Sequence, residues 1–374
     1  RFDGSGTYEY EDSRKGFHPD WNSFIFNYSR GEVRSFLISS AHFWCNKFHI
    51  DGLRVDAVNS IIRLDFSRKP GEWEPNEYGG NENIEAIGFL RELNSVLYQD
   101  FPDIQTIAEE ASDWPGITLS SDKMGFGFGM KWMMGWMHDM FRYFKKSPAI
   151  RTDVQDDFTF SLMYFYDEKF MLPLSHDEVV HGKSPMLYKM PGSEWEQFAN
   201  LRLLYSWMFT HPGAKLLFMG NEFGQTSEWD YKSELDWPLL QYAAHNKLQE
   251  CVRTLNYLLR HEPAFYELQF DRKGFEWVSL NYRTEGIMIF KRKGKLRAND
   301  LLVVLNVSNF PQENMEIQVS GKLHYTEIFN SDAEQFWGSG KYMNQNIFCE
   351  VVDKKKKLNV LKLNIPPLAA IILK

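Results

Sequence analysis

Three stretches of the chain each carry an apolar run into carboxylic acid, and together they are where chemistry could be done. The first is Asp51-Gly52-Leu53-Arg54-Val55-Asp56-Ala57-Val58, which reads as a strand over Ile50 to Ala57. Side chains alternate along a strand, so Arg54 and Asp56 share one face while Leu53 and Val55 share the other. The apolar pair suits a packed helix. The polar pair sets a guanidinium beside a carboxylate at the strand's C-terminal end, where catalytic groups stand in α/β barrels. A neighbouring guanidinium favours the ionised carboxylate that a nucleophile needs. On this segment alone a structural ion pair fits equally well.

The second stretch, Thr106-Ile107-Ala108-Glu109-Glu110, is again a strand closing in acid. Successive carboxylates point to opposite faces, so only one of Glu109 and Glu110 can face the same mouth as Asp56. A poorly solvated carboxyl near other carboxylates has its pKa raised and can donate a proton near neutral pH. The third, Leu172-Pro173-Leu174-Ser175-His176-Asp177-Glu178, is a buried run that delivers His176 and Asp177 to the same rim. One acid at a strand end is often mere solvation; three strands ending this way are harder to dismiss.

Two other patterns look like chemistry and are not. His176 and His181 lie five apart rather than four, so they do not share a helix face, and Pro173 is just upstream. A zinc-protease site is therefore not expected. Gly125-Phe126-Gly127-Phe128-Gly129 puts large aromatics where a phosphate would have to approach, which argues against dinucleotide binding and for a flexible or closely packed stretch. With no phosphate-cradling loop either, no metal and no cofactor are expected.

The acids need elements to hold them. From about Gly31 to Arg260, helical stripes alternate with short buried strands. Val33, Phe36, Leu37, Ser40, Phe43 and Trp44 mark one helix face. A second helix follows Asn83, with Ile84, Ile87, Leu90 and Leu97, and stops before Phe101-Pro102. Ile104 to Ala108, Met171 to Leu174 and Lys215 to Met219 read as further strands. Ser193 and Glu196 form a capping box opening a helix with Phe198, Leu201, Tyr205 and Met208 on one face. Leu248, Val252, Leu255 and Leu259 form the last stripe. Such repetition implies parallel strands with helices packed outside. After about Glu267 the texture changes to short strands, at Phe275 to Tyr282, Gly286 to Lys291, Leu301 to Val307 and Leu358 to Leu363. The organisation expected is an α/β domain over residues 1–265 and an all-β sandwich over 266–374.

Composition narrows the partners. A formal net charge of −8 argues against nucleic acid, which needs concentrated Lys and Arg. The one basic run, Lys354 to Lys357, reads as a solvated turn. The 16% aromatic content suits stacking on sugar rings and suits a large core just as well. Cys45, Cys251 and Cys349 are too scattered for a disulfide framework, so a reducing cytoplasm is expected. No run reaches the roughly 18 apolar residues of a membrane helix. The opening Arg1-Phe2-Asp3-Gly4 has no initiator Met and reads as the middle of a longer protein.

Taken together, the three acid-bearing segments resemble regions of the α-amylase superfamily, and their wording resembles the glycogen branching enzymes. The blocks Gly71-Glu72-Trp73-Glu74-Pro75-Asn76-Glu77-Tyr78-Gly79-Gly80, Leu172 to Lys183 and Leu216-Leu217-Phe218-Met219-Gly220-Asn221-Glu222-Phe223 are long and specific, and the likeness runs from Phe2 to Ala369. The resemblance implies that Asp56 is the nucleophile, Glu109 the general acid and base, and Asp177 the carboxylate that orients sugar hydroxyls and supports the transition state. Arg54 and His176 would contact substrate beside them. His18-Pro19-Asp20-Trp21-Asn22 is similar to an accessory segment with a structural role.

The implied reaction is a retaining double displacement on an α-1,4-glucan such as glycogen or amylose, by a monomer, with transfer to a 6-hydroxyl giving α-1,6 branches. An amylase-type hydrolase, a 4-α-glucanotransferase and a non-catalytic glucan-binding fragment are the alternatives. A complete (β/α)8 barrel takes about 250 residues and eight strand-helix units. The sequence holds material for a partial barrel, strands four to eight, followed by the all-β domain. An open remnant exposes a hydrophobic edge, so the chain by itself is expected to fold poorly or lack activity.

Overall fold

A computed structural model describes residues 3–320, 322–353, 355 and 358–374. The expected turn at Lys354 to Lys357 thus lies, apart from Lys355, outside the described residues. Contacts divide the chain into two compact units, one running to Met134 with Asp167–Phe170 added, the other comprising Gly135–Tyr166 and Met171–Lys374.

In the first unit a short helical turn (Ser13–Gly16) and a two-stranded ribbon (Phe17–His18 with Ser23–Phe24) precede helix α1 (Gly31–Phe48), which feeds strand β1 (Gly52–Val55). Helix α2 (Ile84–Asp100) follows, its first turn closed by the Asn83 side chain accepting from the Ala86 amide at 3.2 Å. It leads into strand β2 (Gln105–Ala108), and strand β3 (Met130–Trp132) completes the set. The three strands run parallel in the order β1-β2-β3, with Arg54 opposite Ile107 and Val55 opposite Ala108. Leu53 and Val55 pack against the core cluster that includes Ala86, Leu90, Leu93 and Leu97 of α2.

Helix α1 turns only part of the expected face inward, Val33 and Leu37 among it. Phe36, Phe43 and Trp44 are exposed, and with Phe48 the last two form a surface aromatic group whose centroids lie 4.7–5.9 Å apart. The inward residues are Val33, Leu37, Ile38, Ala41 and Cys45, a series built on steps of four. The helix is apolar around most of its circumference, and two stripes of similar hydrophobicity cannot be ranked by period alone.

The glycine run is closely packed. A Cβ on Gly125 would meet the Leu119 carbonyl oxygen at 2.0 Å, and Phe126 and Phe128 are buried. Strand β3, which directly follows, was not legible as a strand.

In the second unit, helix α3 (Met134–Phe144) buries Trp136, Met137, Met140, Phe141 and Phe144. Strand β4 (Phe170–Leu174) pairs in parallel with β5 (Ala214–Leu217), Leu174 opposite Leu217. Between them helix α4 (Glu194–Thr210) opens on the expected capping box of Ser193 and Glu196. Its burial is wider than one face, since every residue from Phe198 to Thr210 is buried. Helix α5 (Ala243–His261) is one-sided, with Leu248, Val252, Leu255 and Leu258 inward.

The same unit continues into β6 (Phe275–Ser279), β7 (Ile287–Arg292), β8 (Leu301–Asn306), β9 (Gln312–Ser320), β10 (Glu327–Asn330), β11 (Glu350–Asp353), β12 (Leu358–Ile365) and β13 (Ala369–Leu373). They form one sheet in the order β10-β13-β8-β7-β6 and another in the order β9-β12-β11. Alternate residues of both sheets, among them Ile287, Ile289, Leu302, Val304, Ile317, Val319, Leu361 and Leu363, fill one core. That is a sandwich. The outer face of β7 and β8 is buried too, where Phe290 meets Trp207 of α4 edge-on at 5.5 Å. Among the described residues no helix is long and apolar enough to cross a membrane.

Candidate active site

Strand β1 ends at Val55, so Asp56 stands in the turn just beyond it and its side chain is 75% exposed. Ala57 follows in the left-handed region, with φ at +44°. This turn throws the Ala57 amide toward the end of β2, where it donates to Glu109 Oε2 at 3.1 Å. Backbone bonds lock the two strand ends together, from the Glu109 amide to the Val55 carbonyl at 3.0 Å and from the Val58 amide to the Glu109 carbonyl at 2.8 Å. A non-glycine left-handed residue is costly and persists where its surroundings over-determine it. Here it brings a backbone donor to a carboxyl group.

Arg54 joins the acids. Its Nη2 lies 2.7 Å from Asp56 Oδ1 and 2.6 Å from Glu109 Oε2. The two oxygens therefore cannot be farther apart than those bonds laid end to end, which is closer than the spacing an inverting pair leaves for a water. The guanidinium is fixed from behind by the ring of Trp132 on β3, whose centroid is 4.4 Å from its carbon.

The two acids differ in environment. Glu109 is mostly buried, its side chain 16% exposed. Burial pushes its pKa above the ordinary value, opposed by the Ala57 amide, and a hydrogen bond with Asp56 raises it further while Arg54 lowers it. A carboxyl group that holds its proton beside a solvent-reachable carboxylate can act as acid while its neighbour attacks.

Glu110 points the other way. Its side chain is fully buried, 2.5 Å from Lys131 Nζ and accepting from the Ser112 amide at 2.8 Å. Of the two successive glutamates, then, Glu109 is the one that meets Arg54, and Glu110 is bound into the protein.

In the second unit, β4 ends at Leu174 and a helical turn from His176 to Val179 carries the other predicted pair. His176 Nε2 lies 3.2 Å from Asp177 Oδ1, and both side chains are partly exposed. The imidazole lies near two aromatic rings, Phe218 tilted at 5.8 Å and Trp229 perpendicular at 6.1 Å. Arg54, Asp56 and Glu109 thus form one constellation, and His176 and Asp177 a second pair. His18 is buried and stacked on Trp21 at 3.9 Å, a packed residue with burial depressing its pKa. Sequence reasoning missed Trp132 and the Ala57 amide. The alternation Met130-Lys131-Trp132 was a signal for the first, too short to stand out.

Residues 4–278 match the alpha amylase catalytic domain and residues 277–374 the alpha amylase C-terminal all-beta domain. The chain belongs to the alpha-amylase family. Its parallel strands with outer helices are accordingly a partial (β/α)8 barrel, followed by the family's all-β domain.

Among similar solved structures is the alpha-amylase from H. orenii, with a TM-score of 0.60 at 18% identity, covering 94% of this chain and 66% of that one. Among curated relatives, the 1,4-alpha-glucan branching enzyme GlgB of Aquifex aeolicus is 50% identical over all of this chain and 59% of its own length. The enzyme of the same name from Methylococcus capsulatus is 49% identical, again over the whole chain and 50% of its own length. The amylase-family chain described here thus spans between half and three-fifths of these relatives. Among its described residues no three His, Cys, Asp or Glu side chains gather as metal ligands.

Proposed function

We propose that the chain is the acid-bearing part of a 1,4-α-glucan branching enzyme, with Asp56 as nucleophile, Glu109 as general acid and base, and Asp177 as the carboxylate that orients the sugar. The observation that carries this reading is the single Arg54 nitrogen shared by Asp56 and Glu109 at 2.7 and 2.6 Å. Glu109 gives its proton to the α-1,4 glycosidic oxygen as Asp56 attacks the anomeric carbon, so the carbon-oxygen bond breaks and a β-glucosyl ester forms. Glu109, now ionised, takes the proton of the incoming 6-hydroxyl, whose oxygen displaces Asp56. Two inversions retain the α configuration and leave an α-1,6 branch. Arg54 keeps both carboxyl groups aimed at one point, and His176 donates beside Asp177.

The choice of a sugar hydroxyl over water as acceptor is supported by the names and identity of the two relatives. The enzyme is taken as a cytoplasmic monomer acting on glycogen or amylose. Three unpaired cysteines support the reducing compartment.

The test is amylose incubated with the protein as its gene encodes it. Iodine absorbance should fall and α-1,6 linkages, counted by proton NMR, should rise without matching reducing ends. Reducing ends released one per bond cut would make the enzyme a hydrolase. Turnover that survives Asp56→Asn would end the assignment of the nucleophile.

A further inference from the structure

The loop that follows Asp177 turns sharply. Within four residues it has three left-handed positions, His181 at φ +56°, Gly182 at +80° and Ser184 at +69°. Side chains rarely adopt that conformation unaided, so something outside the loop must hold it.

A short segment distant in sequence does so from both ends. The Glu228 carboxylate accepts from the Gly182 amide at 2.9 Å on one oxygen and from the Ser184 amide at 2.7 Å on the other. The next residue, Trp229, donates its backbone amide to the Val179 carbonyl at 2.9 Å. Its indole stands edge-on to His176 and packs at 5.2 Å on Phe218, which itself touches His176. Lys183 closes back on Glu178 at 3.4 Å, and Lys189 Nζ bonds the Lys183 carbonyl.

We infer that Glu228 and Trp229 are positioning residues, a two-residue clamp that sets where His176 and Asp177 stand at the end of β4. The inference rests on the function proposed above for Asp177 and adds residues that its acid motifs do not contain. Glu228 works through backbone amides and touches no substrate. Trp229 works through the His176 ring. The two amide bonds also hold the Glu228 carboxyl below its ordinary pKa.

The deciding experiment pairs hydrogen exchange with steady-state kinetics on wild type, Glu228→Gln and Glu228→Ala. Exchange of the peptide covering Gly182 and Ser184 should rise at least tenfold in Glu228→Ala and less in Glu228→Gln, which keeps one acceptor. Peptides from β4 and α4 should be unchanged. Over the same series kcat for glucan transfer should fall at least tenfold with KM within about threefold, because Asp177 acts on the sugar in the transition state. A wild-type enzyme without glucan turnover would sink the function proposal alone, and the exchange comparison would still decide the clamp. Unchanged exchange in Glu228→Ala, or faster exchange with full kcat, would overturn it.

Discussion

Arginine is used in two opposite ways in the two units of this chain. Arg54 stands at a strand end between two carboxylates, one of them largely open to solvent. Arg151, Arg202 and Arg292 in the second unit are fully buried and meet backbone carbonyls or an amide oxygen. Arg151 donates to Asn200 Oδ1 at 2.6 Å and the Phe144 carbonyl at 2.9 Å, Arg202 to the Ser331 carbonyl at 2.8 Å, and Arg292 to the Thr210 carbonyl at 2.7 Å. Burial pulls each of these guanidinia down to about 10, still charged at neutral pH. Arg202 and Arg292 tie helix α4 to the β-domain. Carbonyls already spent on a guanidinium, with no solvent path, can do no chemistry. The partners of Arg54 are ionisable, and one can be reached by a ligand. What separates a site from a staple is therefore the acceptor and its access to solvent, not the arginine.

The comparison breaks most visibly at Asp56. Asp56→Asn should lower glucan transfer by at least roughly 10³-fold, since the amide cannot form the glucosyl ester. Its side chain is exposed, so the urea midpoint should stay where it is. A drop in stability comparable to that of a core mutation would place Asp56 with the staples.

Next in size is Arg292→Ala. It strands the Thr210 carbonyl and opens a cavity beside Phe265 and Gly274, and should cost about 3–5 kcal/mol. Arg292→Met, which keeps most of the volume and removes the buried charge, should cost about 1–3 kcal/mol. Urea denaturation of the three proteins measures both. Arg54→Ala should do the reverse, lowering kcat about 10²-fold while shifting stability by less than about 1 kcal/mol, the scale of a partly exposed ion pair. If Arg54→Ala proved the more destabilising of the two alanine variants, the division proposed here would fail.

How much of this was legible beforehand follows the same line. The strand that carries Arg54 and leads into Asp56 was readable because alternation is a two-residue rule with polar and apolar faces, and the structure packs Leu53 and Val55 into the core. Glu109 and Glu110 could not be told apart by that rule. The answer lay in Lys131, on a three-residue strand with no period to detect. Helix α1 was only partly legible for the opposite reason, having more hydrophobic residues than one face buries. The buried arginines were invisible, because a charged residue on a helix, strand or turn reads as surface until its carbonyl partners are known. The Glu228 clamp was invisible too, since its partners are backbone amides that leave no mark on sequence.

The smallest expected effect tests whether burial shifts the titration of the site's acid as it shifts that of the buried guanidinia. Burial raises the pKa of Glu109 in the folded protein above its ordinary 4.5. Below the unfolded value the group is neutral in both states, and its contribution to stability is fully present. As pH rises, the unfolded chain ionises first while the folded protein still binds the proton, so stability falls with pH until the folded pKa is passed. Glu109→Gln removes that titration and keeps an oxygen for the Ala57 amide. The variant should therefore match wild type at pH 4 and gain on it as pH rises to 7, by urea midpoint, although it has lost the acid. A gap that stays constant with pH would show that burial does not shift the titration of this carboxyl group, and Glu109 would then differ from the buried guanidinia, whose titration it does shift.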